Sequence, residues 1–421
     1  MRPLLASLAI AVLGCSGSSG GGKGGGAACA GHALPALAPD HLLIGLSTSL
    51  TEDGNSIAQS PGFDLRYLYI SGGLADGDGP CTAACSACTS GGASCANSGP
   101  GCAWWGCWQW DAQTPGVYAS GFVATAEGED RLPMFTYYMI LQSYRQSHAL
   151  DEGTNEVTVA ARDVAFMARY WNDFRFLLQR IGTHRALVHL EPDFWGYAQS
   201  AAQQASVDPH HLPAAVASAN PTDCAGEEDT IAGMGRCAVA MVRRYAPSAL
   251  VGLHASPWAS GFDLASNPSA SVDPAVEGAR VGEFLTACGA ASGDVIVADL
   301  ADRDADDPGP PHGYWLHTDE TLPDFTQILA FGKAVATSVG KPILWWQVPV
   351  GNPGLDDSPN HYRDNRLDWF LDHPADLARQ GAVGAAFGGG QARSTTPETD
   401  GGHLEARARA YAASGGQKLC N

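Results

Sequence analysis

Eight short apolar runs of β-forming residues, recurring between residues 42 and 387, constrain the fold more than any other feature. They occupy residues 42–47, 65–70, 134–139, 186–191, 249–254, 295–299, 342–348 and 382–387. Runs that are hydrophobic almost throughout read as strands of a parallel sheet covered on both faces. Most intervals carry stretches of helical period, among them residues 164–181, 232–245, 276–290, 325–339 and 366–380. Eight such units predict an α/β chain closed into a single (β/α)8 barrel of the TIM type. A doubly wound open sheet is the other arrangement of these units. Its glycine fingerprint is missing where the first strand ends, at Ser47-Thr48-Ser49-Leu50. Two intervals depart from the plain pattern: residues 51–64 are short and turn-like, and residues 71–110 form a Cys/Trp-rich insertion after the second strand.

The amino-terminal end has its own organisation. Arg2 precedes an apolar run, residues 4–13, that is too short to span a bilayer and has the layout of a secretory signal. Val12-Leu13-Gly14-Cys15 resembles the lipobox of bacterial lipoproteins, which implies lipidation at Cys15; an ordinary cleaved signal is the alternative. The expected layout is therefore a signal peptide at 1–15, a Gly/Ser tether at 16–31 and one catalytic barrel domain at 32–421. The expected location is outside the cytoplasm, lipid-anchored to a bacterial membrane at the periplasm or cell surface, or secreted. With 24 Lys+Arg against 44 Asp+Glu the net charge is -20, so polyanionic partners are disfavoured. We expect no nucleic-acid partner, and membrane contact only through the lipid.

Twelve cysteines fit an oxidising compartment. Cys81, Cys85, Cys88, Cys95, Cys102 and Cys107 are disulfide candidates within the insertion, where the absence of His weakens a zinc reading. Cys224 and Cys237 are expected to close one loop, and Cys29 and Cys420 to join the chain ends. Cys288 is then left as a buried thiol.

In a barrel, the residues at the carboxyl ends of the strands form the active site, and alternate side chains face the interior. In the fourth run, Ala186, Val188 and Leu190 take the helix side, which turns Leu187, His189 and Glu191 inward. In the sixth, Val295, Val297 and Asp299 face inward; the fifth offers His254, and the seventh offers Trp345 and Gln347. A carboxylate pair across a cleft is what glycosidic cleavage requires, so Glu191 and Asp299 are the catalytic candidates. Asp193, Asp302 and Asp304 are lower-ranked substitutes. The structural alternative is that Glu191, before Pro192, accepts hydrogen bonds at a strand end while Asp299 caps a loop.

Nine of the eleven Trp fall at strand ends or in the loops after them, outside the helical stretches that hold Trp171 and Trp369. Flat aromatic faces stack on sugar rings, although core filling accounts for part of such a set. The expected substrate-binding residues are His189, Trp195, His254, Trp258, Trp315, Trp345, Trp346, Gln347, Tyr138 and Trp105. The segments LVHLEPDFWGY (187–197) and VGLHASPW (251–258) resemble strand ends of secreted glycoside hydrolase barrels. Glu191-Pro192-Asp193 is similar to a strand segment of the family 6 cellulases and cellobiohydrolases. Residues 388–401 resemble that family's glycine-rich loop, with Glu398 or Asp400 as its acidic residue. The resemblance implies the barrel and sugar chemistry. Two departures stand against a family assignment. The segment before E-P-D, residues 135–139, has no carboxylate where family 6 has its acid, and Trp346-Gln347 stands where the large retaining clan has its seventh-strand nucleophile.

The functional expectation is a glycoside hydrolase acting on a poly- or oligosaccharide, with Glu191 as general acid, Asp299 as base or nucleophile, and no cofactor. One alternative is a metal-dependent hydrolase with His189, Glu191, His254 and Asp299 as ligands. The other is a carbohydrate-binding lipoprotein without catalysis.

Overall fold

The computed structural model describes residues 29–34, 36–37, 40–71, 74, 116–148, 153–265, 271–300, 303–308 and 323–420, and the account below concerns these. Cys15, the six cysteines of the insertion, Trp105, Asp302 and Trp315 lie outside them.

Eight parallel strands close into a barrel: β1 (Leu43–Leu46), β2 (Leu65–Ser71), β3 (Leu132–Tyr138), β4 (Leu187–Leu190), β5 (Leu250–Ala255), β6 (Val295–Asp299), β7 (Ile343–Val348) and β8 (Ala382–Phe387). Each strand pairs with its sequence neighbour, and β1 pairs with β8. The chain is thus a (β/α)8 barrel, as its hydrophobic pattern predicts. The helices are α1 (Glu52–Ala58), α2 (Val117–Gly128), α3 (Ile140–His148), α4 (Thr154–Thr158), α5 (Val164–Ile181), α6 (Phe194–Ala205), α7 (Ile231–Tyr245), α8 (Pro274–Ala287), α9 (Pro323–Val339), α10 (Arg366–Asp372), α11 (Pro374–Arg379) and α12 (His403–Ala413). The last predicted helix is two, because Pro374 cannot continue α10.

Local chemistry starts the long helices where the sequence places them. Asp163 accepts the Phe166 N–H to cap α5, Thr230 caps α7 through the Gly233 N–H, and Asp273 caps α8 with Pro274 at its first position. The buried stripe of α5, including Phe166, Tyr170, Phe174, Leu177 and Ile181, recurs at helical spacing and packs on the barrel. Inside the barrel, bulk is balanced by gaps. A Cβ on Gly252 would come 3.0 Å from Val295 Cγ1 and 3.1 Å from Val297 Cγ2, so glycine here lets the β6 valines fill the interior.

Short strands at Ala30–His32 and Leu419–Cys420 pair in parallel, and a Cys29–Cys420 disulfide ties the chain ends together there. Cys224 and Cys237 form a second disulfide, and Cys288 is free and buried. These three outcomes follow the cysteine reading above. No helix among the described residues is long and apolar enough to cross a membrane.

Candidate active site

At the carboxyl ends of the strands a cleft of about 450 Å³ is lined by Tyr69, Tyr138, Gln142, Asp193, Tyr197, Trp258, Asp263, Asp299, Trp346, Gln347 and Gln391, among others. One oxygen each from Asp193 and Asp299 and one ring nitrogen of His254 lie within 4.8 Å of one another. The cleft therefore holds a carboxylate couple, but its members are Asp193 and Asp299.

Glu191 is elsewhere. It falls one residue past β4 with φ +44°, so the alternation that holds through His189 ends before it. Its carboxylate turns into the helix layer. The Met139 N–H donates to both oxygens at 3.2 Å, the Ile140 N–H donates to Oε2 at 3.3 Å, and the Tyr170 hydroxyl of α5 donates a further bond. Burial pushes the Glu191 carboxyl up to about 8, against the opposite pull of those donors. Neighbouring Asp173, which accepts the Tyr137 hydroxyl at 2.9 Å, is likewise raised by burial to about 8. The expectation that Glu191 stands at the rim is corrected: its surroundings are those of a residue fixing a turn.

That turn delivers Asp193. Glu191 and Asp193 both have positive φ, at +44° and +64°, on either side of Pro192. Non-glycine residues in this region cost on the order of 1–3 kcal/mol each and cluster at functional sites. Asp193 occupies the N-cap position of α6 but makes no side-chain cap bond. Its carboxylate instead joins the cleft, where the Tyr138 hydroxyl donates to Oδ2 at 3.4 Å.

Asp299 ends β6 above a row of polar groups that crosses the barrel interior. Thr136 Oγ1 lies 3.2 Å from His189 Nδ1, and His189 Nε2 lies 3.0 Å from His254 Nδ1. His254 Nε2 is 3.2 Å from Asp299 Oδ1, within ion-pair range but off the line of a hydrogen bond. A carboxylate at one end orders the protons: His254 turns Nε2–H toward Asp299 and accepts at Nδ1 from His189, which accepts from the Thr136 hydroxyl. Burial first, and then His254, push His189 well below the usual imidazole range, which holds it neutral. His189 and His254 thus sit beneath the cleft floor, supporting Asp299.

In β7 the predicted phase is reversed. Trp345 packs against Gly332 of α9 and Phe370 of α10, so it belongs to the helix layer. Trp346 faces inward, with ring centroids 4.7 Å from His189, 5.6 Å from His254 and 5.6 Å from Tyr69. A register irregularity between Trp345 and Val348, with Gln347 at φ +58°, returns the next side chain to the cleft, where Gln347 Nε2 donates to the Tyr69 hydroxyl. Trp195 is a second correction: it lies in α6, and its indole N–H donates to the Leu190 carbonyl at 2.9 Å. Trp258 lines the cleft, 4.6 Å from Tyr197 and seated over Gly196. Asp304, Glu398 and Asp400 serve the loops. Asp304 accepts the Thr395 N–H, Glu398 accepts the Ser49 N–H, and Asp400 caps the start of α12.

Sequence reasoning passed over Tyr69, Tyr197, Gln142 and Asp263. The signal for Asp193 was present, an acidic residue between a proline and a helix start. The phase of β7 had none, since both residues of the Trp345-Trp346 doublet are apolar.

No family model and no curated protein matches this chain. Solved structures similar in shape include a modular endo-β-1,4-mannanase of Cellulomonas fimi, 12% identical over 89% of this chain and 70% of that one, TM-score 0.48. An endo-β-1,4-mannanase of Thermotoga petrophila is 11% identical over 90% and 77%, TM-score 0.47. The GH113 β-mannanase of Alicyclobacillus acidocaldarius is 12% identical over 90% and 99%, TM-score 0.43. Likeness at this level bears on neither site nor substrate.

Proposed function

We propose that this protein is a glycoside hydrolase whose acid/base pair is Asp193 and Asp299. The observation that carries the reading is the approach of these two carboxylates to within 4.8 Å at the mouth of one cleft, beside Tyr69, Tyr138, Tyr197, Trp258 and Trp346. A separation this short matches the spacing of about 5–5.5 Å at which the second carboxylate attacks carbon directly. Asp299, facing the His254 imidazole, is the nucleophile; Asp193 is the general acid. Asp193 protonates the glycosidic oxygen as that bond to the anomeric carbon breaks and Asp299 forms an ester with the same carbon. Asp193 then takes a proton from water, whose oxygen displaces Asp299 and restores both groups. The aromatic walls hold the sugar ring, and the Cys29–Cys420 and Cys224–Cys237 disulfides support an exported setting. The test is a screen of the mature protein against a polysaccharide panel with the first-formed anomer read by NMR. The reading expects hydrolysis with retained configuration; an inverted product removes the nucleophile role of Asp299.

One observation favours a second reading, a metal-dependent hydrolase. His254 Nε2 and Asp299 Oδ1 are buried without hydrogen-bond partners and lie 3.2 Å apart, the separation of two ligands on one ion at about 2.0–2.2 Å. Asp193 would complete the set. It replaces the set predicted from sequence, since His189 is engaged with Thr136 and His254, and Glu191 lies in the helix layer. A bound ion would activate water. Elemental analysis decides: less than about a tenth of an equivalent of transition metal after chelator-free purification removes this reading.

A further inference from the structure

The polar row beneath Asp299 climbs through the apolar barrel interior on four successive strands: Thr136 of β3, His189 of β4, His254 of β5 and Asp299 of β6. Thr136 and His189 are register partners and share one level. His189 is paired with Gly252, so His254 stands one inward position higher; His254 is paired with Val297, so Asp299 stands one higher again. Gly252, beside His189, has no side chain to stand between the two imidazoles, whose centroids lie 5.1 Å apart. Thr136, His189 and His254 are fully buried, and none of the three is among the cleft's lining residues. Polar groups placed so deep in a core are retained at a cost, which asks what the lowest of them does.

Two proton orders satisfy the inner bonds of this row. In the first, both rings carry the proton on Nε2: His254 points Nε2–H at Asp299, His189 donates to His254 Nδ1, and the Thr136 hydroxyl donates to His189 Nδ1. In the second, both carry it on Nδ1: His189 donates to Thr136 Oγ1, and His254 turns a lone pair toward Asp299. An ionised carboxylate only accepts, so Asp299 selects the first order from above. The hydroxyl of Thr136, which can donate, permits it from below. A methyl in place of that hydroxyl satisfies neither order, since it can neither donate to His189 Nδ1 nor accept from it.

We propose that Thr136, at the foot of the row, is a positioning residue for Asp299: its hydroxyl fixes the tautomers of His189 and His254 and thereby keeps a His254 proton aimed at that carboxylate. This rests on the reading of Asp299 as the catalytic nucleophile and adds the group that holds it in place. Because the row touches only Asp299, and the aromatic walls that grip the sugar lie elsewhere, loss of the hydroxyl acts on turnover and leaves substrate affinity alone.

The experiment measures kcat and KM of the mature protein and its Thr136→Val, Thr136→Ser and Asp299→Asn variants on one glycan that screening shows to be hydrolysed. Thr136→Val is expected to lower kcat roughly tenfold with KM held within about twofold, and Thr136→Ser, which keeps the hydroxyl, to recover most of the loss. Nitrogen NMR of the histidine-labelled wild-type protein reads the tautomers directly, the pair being recognised by the coupling across its shared hydrogen bond. Both rings are expected to carry the proton on Nε2, a readout that holds even where the valine variant fails to fold. Wild-type kcat in a folded Thr136→Val protein, a serine variant as slow as the valine one, or protons on Nδ1 of both rings overturns the inference. If Asp299→Asn is inactive in the same assay, the catalytic reading of Asp299 survives that result. Wild-type turnover by Asp299→Asn overturns the catalytic reading and this inference with it.

Discussion

Replacing Glu191 by Gln tests whether this carboxyl belongs to the helix layer or to the cleft, and it does so through stability. In the folded protein the group is raised to about 8 by burial, from an ordinary value of 4.5. Across that interval the folded state binds the proton more tightly than the unfolded chain, so the unfolding free energy falls as pH rises. The favourable contribution is complete below pH 4.5 and is lost as pH passes through about 8. At about 1.4 kcal/mol per pH unit over that interval, the ceiling is about 5 kcal/mol for this one residue. Asp173 titrates over a similar range in both proteins and cancels in the comparison. Gln carries no proton equilibrium, so Glu191→Gln is expected to flatten the curve by several kcal/mol between pH 5 and 8. Urea unfolding of both proteins at four pH values, disulfides intact, measures it. Parallel curves would mean that Glu191 is ionised in the fold, and the placement against Met139, Ile140 and Tyr170 would be wrong.

Two further outcomes follow from the geometry. A Cβ at Gly196 would stand 2.5 Å from Trp258 Cη2, so Gly196→Ala must push that indole by about 1 Å to restore ordinary contact. On the glycan found by screening, KM is expected to rise roughly tenfold, the worth of about one aromatic contact, with kcat nearly unchanged; an unchanged KM would remove Trp258 from substrate binding. The Cys29–Cys420 disulfide closes a loop with a sequence separation of 391 residues. Replacing both cysteines by Ser is expected to lower the unfolding free energy by about 2–5 kcal/mol in denaturant titration, and an unmoved midpoint would show that the chain ends contribute nothing to the fold.

The barrel was legible because parallel strands buried on both faces leave continuous apolar runs, and a run such as residues 295–299 or 382–387 matches its strand residue for residue. The inward side chains were legible only while the backbone stayed extended. Alternation places His189, His254 and Asp299 toward the interior, and it fails where φ turns positive, at Glu191, Asp193 and Gln347. Period-two reasoning carries no information past such a residue. In β7 it fails for a different reason, because two adjacent tryptophans fit either phase, and only Gly332 and Phe370 on the neighbouring helices decide which one turns outward. The missed members of the cleft, Tyr69, Tyr197 and Asp263, come from β2, α6 and the loop after β5, whose convergence depends on tertiary packing that spacing alone does not encode.

The most direct measurement compares turnover by three variants on one hydrolysed glycan. Asp193→Asn and Asp299→Asn are each expected to lower kcat by about 10²–10⁴-fold, while Glu191→Gln, assayed at pH 6 where its fold is retained, stays within about threefold of the unaltered protein. Wild-type turnover by either Asp variant, or loss of turnover in a folded Glu191→Gln protein, would contradict the assignment of the acid/base pair.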